Sequence, residues 1–175
     1  HISIATLPGM WERTITVNSF SKSWNISGWR LGYVYGDAQL LSPLNKAYNV
    51  FYVCSPTPLQ RALSEVLMTD PSYYTRLRES FTVKKRFAVK ALEKVGFEVY
   101  DSDSAFYVWA RIPKGFEDAM QFNDLLIDRA GVAGVPGNAF ADSNEWDNYM
   151  RLCFAREDGV LQGAFDKLQK ALMEK

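Results

Sequence analysis

Polar and β-branched positions alternate from residue 13 to 19, in the order Thr14, Ile15, Thr16, Val17, and this period of two predicts a strand. A loop bearing serines and one lysine follows. Beyond it, Leu31-Gly32-Tyr33-Val34-Tyr35, inside a stretch bounded by Gly28 and Gly36, reads as a second strand. The apolar spacing then lengthens to that of a helix. Asp37 can cap a short helix with Leu40, Leu41, Leu44 and Tyr48 along one side. Pro43 has no N–H to give and predicts a start or a break there. Ser55-Pro56-Thr57-Pro58 reads as a turn. Thr57 would cap the next helix and Pro58 take its first position, with Leu59, Leu63, Val66 and Leu67 on the apolar face. Asp70-Pro71 repeats that start. Tyr74, Leu77, Phe81, Ala88, Leu92 and Val95 then mark one stripe of a long helix over 72–95, and Gly96 stands where it should end.

The remainder mixes the two periods. Residues 97–100 and 106–110 read as strands and 118–130 as a helix. A short strand over 131–135 leads into Pro136-Gly137-Asn138. Residues 149–154 form another strand, and 157–172 a last helix with Leu161, Ala164, Phe165, Leu168 and Leu172 on one face. No internal repeat or low-complexity segment interrupts the pattern. The chain therefore divides into fragments of an α/β layer over 1–70 and an α+β unit over 71–175 that includes the long linking helix.

Composition narrows the chemistry. Of 175 residues 47% are apolar, which suffices for a core, and 20 basic side chains balance 20 acidic ones. A neutral chain without basic clusters carries no electrostatic footprint for nucleic acid or for an anionic membrane, and no apolar run is long enough to span a bilayer. Cys54 and Cys153 form no CxxC and read as packing residues, which suits a reducing cytoplasm. The one histidine is His1. Ser-His-Asp and Cys-His catalysis, and a histidine-rich zinc site, cannot be built from this chain. A start without Met or a signal sequence is what a piece of a longer chain would show. Chemistry must come from Lys, Arg, Tyr, Ser, Asp or Glu, or from a cofactor.

One run meets that condition. In Ser19-Phe20-Ser21-Lys22 a strand ends, two hydroxyls appear and a lysine follows; Gly28, Arg30 and Gly32 come next. A lysine forms an imine with an aldehyde cofactor if a cationic neighbourhood or desolvation lets it deliver a neutral amine. Ser19 and Arg30 can hold a phosphate, Arg30 with its fork of donors. By itself S-x-S-K describes a surface loop with a solvated lysine. The added glycines and arginine at fixed offsets tip the reading toward a cofactor site.

The stretch Asn18-Ser19-Phe20-Ser21-Lys22-Ser23-Trp24-Asn25-Ile26-Ser27-Gly28-Trp29-Arg30-Leu31-Gly32-Tyr33 resembles the signature of class I/II, fold-type-I, pyridoxal-phosphate aminotransferases. The lead-in from His1 to Thr14 is similar to the kynurenine aminotransferase / glutamine transaminase K branch. Pro56-Thr57, Ala105-Phe106-Tyr107, Gly134-Val135-Pro136-Gly137 and Arg151-Leu152-Cys153-Phe154 recur in the family's order, so the resemblance covers the whole chain. It implies the C-terminal portion of such an enzyme: the tail of the large α/β domain over 1–70 and the small α+β domain over 71–175. It implies that Lys22 is the Schiff-base lysine for pyridoxal 5′-phosphate and the acid/base that moves the substrate proton. Ser19 and Arg30 match the phosphate ligands, and Arg151 the arginine that clamps the substrate α-carboxylate. Read from residues alone, Arg151 could instead be a strand arginine paired with a nearby acid such as Asp147. Tyr107 and Phe106 could line a pocket or belong to the core.

The resemblance further implies amino-acid and 2-oxo-acid substrates, a homodimer, and a cytoplasmic enzyme that binds neither nucleic acid nor membrane. Val53 and Cys54 depart from the aromatic residue and histidine frequent there in the kynurenine branch, and Ser104 and Ala141 from frequent glycines. The aspartate that pairs with the pyridine nitrogen, the tyrosine on the cofactor's phenolate oxygen and the turn that caps the phosphate lie upstream of His1 in the family. These 175 residues alone are therefore expected not to transaminate, and to pack stably only against further material, a partner chain or one another. Three rival readings share the residues: a C–S β-lyase using the same lysine, a non-catalytic sensor domain, and an inert remnant.

Overall fold

The computed structural model describes residues 1–100 and 102–173. Strands β1 (Ile15–Ser19) and β2 (Gly32–Gly36) pair antiparallel, from Ile15 opposite Gly36 to Ser19 opposite Gly32. The alternation of Ile15, Thr16 and Val17 is thus a strand, as predicted. Gly32 is required by the pairing, since a Cβ there would lie 2.7 Å from the Asn18 carbonyl oxygen.

Helix α1 (Ala38–Phe51) starts at Asp37, whose Oδ1 accepts the Gln39 N–H at 2.8 Å. Pro43 lies inside α1 and neither starts nor breaks it. It forfeits one bond, to the carbonyl four residues back, and the turns on either side carry the helix through. Helix α2 (Thr57–Leu67) begins one residue earlier than its cap motif suggested. Pro56 is the cap, its carbonyl accepting the Leu59 and Gln60 N–H groups at 3.1 Å, and Thr57 is already helical. Helix α3 (Tyr73–Lys94) follows. Asp70 organises its approach by accepting the Ser72 N–H at 3.1 Å and hydroxyl at 2.7 Å and pairing with Arg76.

Two compact units divide the chain within α3, His1–Leu77 and Arg78–Lys175. In the first, Leu31, Leu63 and Thr14 are the buried side chains, while Phe51 is 86% exposed, Met68 84% and Val50 79%. Among the described residues no helix is long and apolar enough to cross a membrane.

The second unit is built on a four-stranded antiparallel sheet in the order β3-β4-β6-β5, comprising β3 (Glu98–Tyr100), β4 (Tyr107–Arg111), β5 (Val135–Pro136) and β6 (Tyr149–Cys153). Gly96, at φ +96°, ends α3 as the sequence predicted. Asp118 caps α4 (Ala119–Ala130) by accepting the Gln121 N–H at 2.8 Å. Strand β5 is shorter than the 131–135 pattern suggested. Gly131 is the left-handed cap of α4, and the Gly134 N–H goes to Asn123 Oδ1 at 2.8 Å, so these residues are claimed by the helix.

Val108 and Ala110 of β4 and Met150 and Leu152 of β6 bury one sheet face. They join Ala88 and Leu92 of α3, Phe122 and Leu126 of α4, and Leu161 and Leu168 of α5 (Asp158–Met173) in one cluster. Each large side chain so buried contributes about 1.5–3 kcal/mol. Strand alternation then turns Tyr107, Trp109 and Arg111, and Tyr149, Arg151 and Cys153, to the opposite face. Both cysteines are exposed and are not packing residues; Cys153 falls on this outward face.

Candidate functional site

Ser19 ends β1 opposite Gly32, so residues 20–31 form a loop with its ends held together. The Phe20 N–H donates to the Leu31 carbonyl at 3.2 Å. Ser19 Oγ accepts the Ser21 N–H at 3.1 Å, and its hydroxyl lies 2.8 Å from Ser21 Oγ and 3.3 Å from the Leu31 carbonyl. The Ser21 carbonyl accepts from Ile26 N–H at 3.1 Å and from the Ser27 hydroxyl at 3.2 Å. Arg30 Nη1 donates to the Ser27 carbonyl at 2.9 Å. A chain of short bonds therefore links Ser19, Ser21, Ser27 and Arg30.

Arg30 adopts the left-handed conformation, φ 57° and ψ 38°, where it ends the 3-10 turn Ser27–Trp29. A non-glycine residue held there costs about 1–2 kcal/mol. The ring of Trp24 stacks on Tyr73 at 4.0 Å and its Nε1–H donates to the Tyr74 hydroxyl at 2.8 Å, while Tyr73 donates to the Ser23 carbonyl. These contacts fasten the loop to the first turn of α3.

Lys22 lies between the serines and the tryptophan, and its side chain is exposed. Among the described residues no acid pairs with Lys22 or Arg30. One primary amine, neighbouring hydroxyls and a guanidinium with donors to spare suit a ligand carrying an aldehyde and a phosphate. Burial of the amine is not supplied by the described residues of this unit.

Arg151 belongs to the other unit, at the centre of β6 between Trp109 of β4 and Val135 of β5. Its guanidinium carbon lies 4.2 Å from the Tyr107 ring centroid and 4.7 Å from that of Phe140. Its Nε is buried and has no hydrogen-bond partner among the described residues. No acid pairs with it among the described residues, Asp147 included. A cleft of about 460 Å³ beside it is lined by Trp109, Phe140, Ala141, Trp146 and Arg151. Trp109 meets Phe140 and Trp146 edge-on, both at 5.7 Å, and stacks on Tyr149 at 5.9 Å. Further along this face, the Tyr149 hydroxyl and Glu98 push the Tyr100 phenol up to about 12. Phe106 packs against the core beside Phe81, whereas Tyr107 faces Arg151. Sequence reasoning missed Trp109, Phe140 and Trp146. The period of two could have placed Trp109 and Arg151 on one kind of face, but only the strand register brings them together.

The sequence model of the family described as aminotransferase class I and II matches residues 3–168. The chain belongs to the class I and II aminotransferases. It is 34% identical to the aspartate aminotransferase of Pyrococcus abyssi, over all of this chain and 45% of that protein. It is 33% identical to kynurenine–oxoglutarate transaminase 3 of Mus musculus, over 94% of this chain and 40% of that one. The structure of N-succinyldiaminopimelate aminotransferase from Mycobacterium tuberculosis superposes with a TM-score of 0.88 at 31% identity, over 98% of this chain and 45% of that one. The chain thus spans less than half the length of these relatives. Aminotransferases of classes I and II generally depend on pyridoxal phosphate and act on amino acids and 2-oxo acids.

Proposed function

We propose that these residues are the C-terminal portion of a pyridoxal-phosphate aminotransferase that moves an amino group between an amino acid and a 2-oxo acid. Residues 1–70 are read as the tail of its large domain and 71–175 as its small domain. Lys22 would hold the cofactor through its aldehyde and, once the substrate amino group has displaced it, its freed Nζ would move the proton from the substrate Cα to the cofactor. Ser19 and Arg30 hold the phosphate. Arg151 receives the substrate α-carboxylate through planar, paired N–H donors. The cofactor, when bound, supplies the electron sink that makes the Cα proton acidic. The working enzyme is read as a cytoplasmic homodimer.

The observation that carries this reading is the bonded loop joining Ser19, Ser21, Ser27 and Arg30 around the exposed Lys22, in a chain matched by the family along nearly its whole length. The test is the absorption spectrum of the chain with added pyridoxal phosphate, followed by borohydride reduction and peptide mass mapping. An imine band and a fixed adduct on Lys22 are expected, both lost in Lys22→Ala. A band and adduct unchanged in Lys22→Ala would sink the assignment.

A further inference from the structure

We infer that Tyr107 and Phe140 are positioning residues that hold the Arg151 guanidinium by its faces and leave its N–H edge for an anion. This rests on the reading of Arg151 as the carboxylate site. A free arginine side chain has about 2 kcal/mol of rotamer entropy to lose on binding. Here much of that freedom is already gone. Two rings lie over one guanidinium carbon at 4.2 and 4.7 Å, within cation–π range. A ring stacked on a guanidinium face leaves the N–H donors free, because they lie in the guanidinium plane. The rings therefore fix the plane without competing for the bonds.

Two further observations point to an in-plane ligand. Arg151 Nε is buried and unpartnered among the described residues, which is costly unless another group completes it. No described acid pairs with the side chain. The rings are themselves held. Tyr107 packs on Phe106 at 4.5 Å, and Phe140 meets Trp109 edge-on at 5.7 Å. Phe140 is half-exposed, so its contact with Arg151 is not explained by core burial.

The test uses 3-phenylpropanoate, a carboxylate without an amino group, with 3-phenylpropanamide as the neutral control. Binding to the 175-residue chain is read by tryptophan fluorescence, because Trp109 and Trp146 border Arg151. The carboxylate is expected to bind and the amide not. Arg151→Lys should weaken binding at least about tenfold, since a lysine cannot offer two coplanar donors. Phe140→Leu and Tyr107→Leu should each weaken it about fivefold to tenfold. Tyr107→Phe should restore wild-type affinity, because the ring face and not the hydroxyl acts. The NMR cross-peak of Arg151 Nε–Hε is expected to be sharp in the wild type and to broaden in Phe140→Leu even where the unfolding temperature is unchanged.

If Arg151→Lys loses binding while both leucine variants stay within about twofold of wild type and the cross-peak stays sharp, the clamp is wrong and the carboxylate reading stands. If the wild type does not bind, or Arg151→Lys binds equally well, the carboxylate reading falls and the clamp with it.

Discussion

Gly137 shows how one missing methyl can position a site. A Cβ built on it would lie 2.2 Å from the Trp146 carbonyl oxygen, 3.0 Å from the Trp146 Cβ and 3.1 Å from its carbonyl carbon. Two of these atoms are backbone, so relief requires the 3-10 turn Gly137–Ala139 to back away by about 1 Å, given contact distances near 3.5 Å. Such overpacking costs about 1–3 kcal/mol. Gly134 is the natural control. A Cβ there would meet Met150 Cε at 2.6 Å and Leu152 Cδ2 at 3.0 Å, both ends of flexible side chains, and the Arg151 carbonyl oxygen at 3.2 Å. Met150 can rotate away, so Gly134→Ala should cost about 1 kcal/mol.

Gly137→Ala is therefore expected to be the more destabilising of the two in urea unfolding followed by near-UV circular dichroism. It should also weaken 3-phenylpropanoate binding, because the turn it displaces carries Phe140 to Arg151. Equal stabilities for the two variants, or Gly137→Ala indistinguishable from wild type, would refute this packing argument.

Two further outcomes are expected. Arg76, with Ser72, holds the Asp70 carboxyl down to about 2, against 3.8 ordinarily. A depressed folded-state value means the pairing stabilises fully above 3.8 and is lost as pH falls through about 2. In Arg76→Ala the Asp70 titration, followed by carboxyl carbon shifts, should move up toward 3.8; a midpoint still near 2 would show that Arg76 is not the cause. Amino transfer from glutamate to a 2-oxo acid should be undetectable for the 175 residues alone, since the acid expected to pair with the cofactor ring is not among them and Lys22 is exposed. Coupled-assay turnover above a Lys22→Ala blank would contradict that.

Much of the architecture was legible locally. The β-branched alternation before Ser19, the caps at Asp37 and Asp118 and the helix stop at Gly96 each depend on dihedrals and hydrogen bonds spanning a few residues. The spacing of Ser19, Lys22 and Arg30 likewise sufficed to single out one loop, because strand pairing at Ser19 and Gly32 closes it on itself. What the sequence did not determine lies in contacts between distant positions. Pro43 reads as a breaker until the turns around it are weighed. The 131–135 pattern reads as a strand until Asn123 claims the Gly134 N–H. Cys153 reads as packing until the register turns it outward. Arg151 could be seen as a candidate, but the lack of a pairing with Asp147 and its contacts with the Tyr107 and Phe140 rings came only with the fold. Local hydrogen bonding fixes an element's type, whereas register and packing decide which side chains meet, and that information is spread over the whole chain.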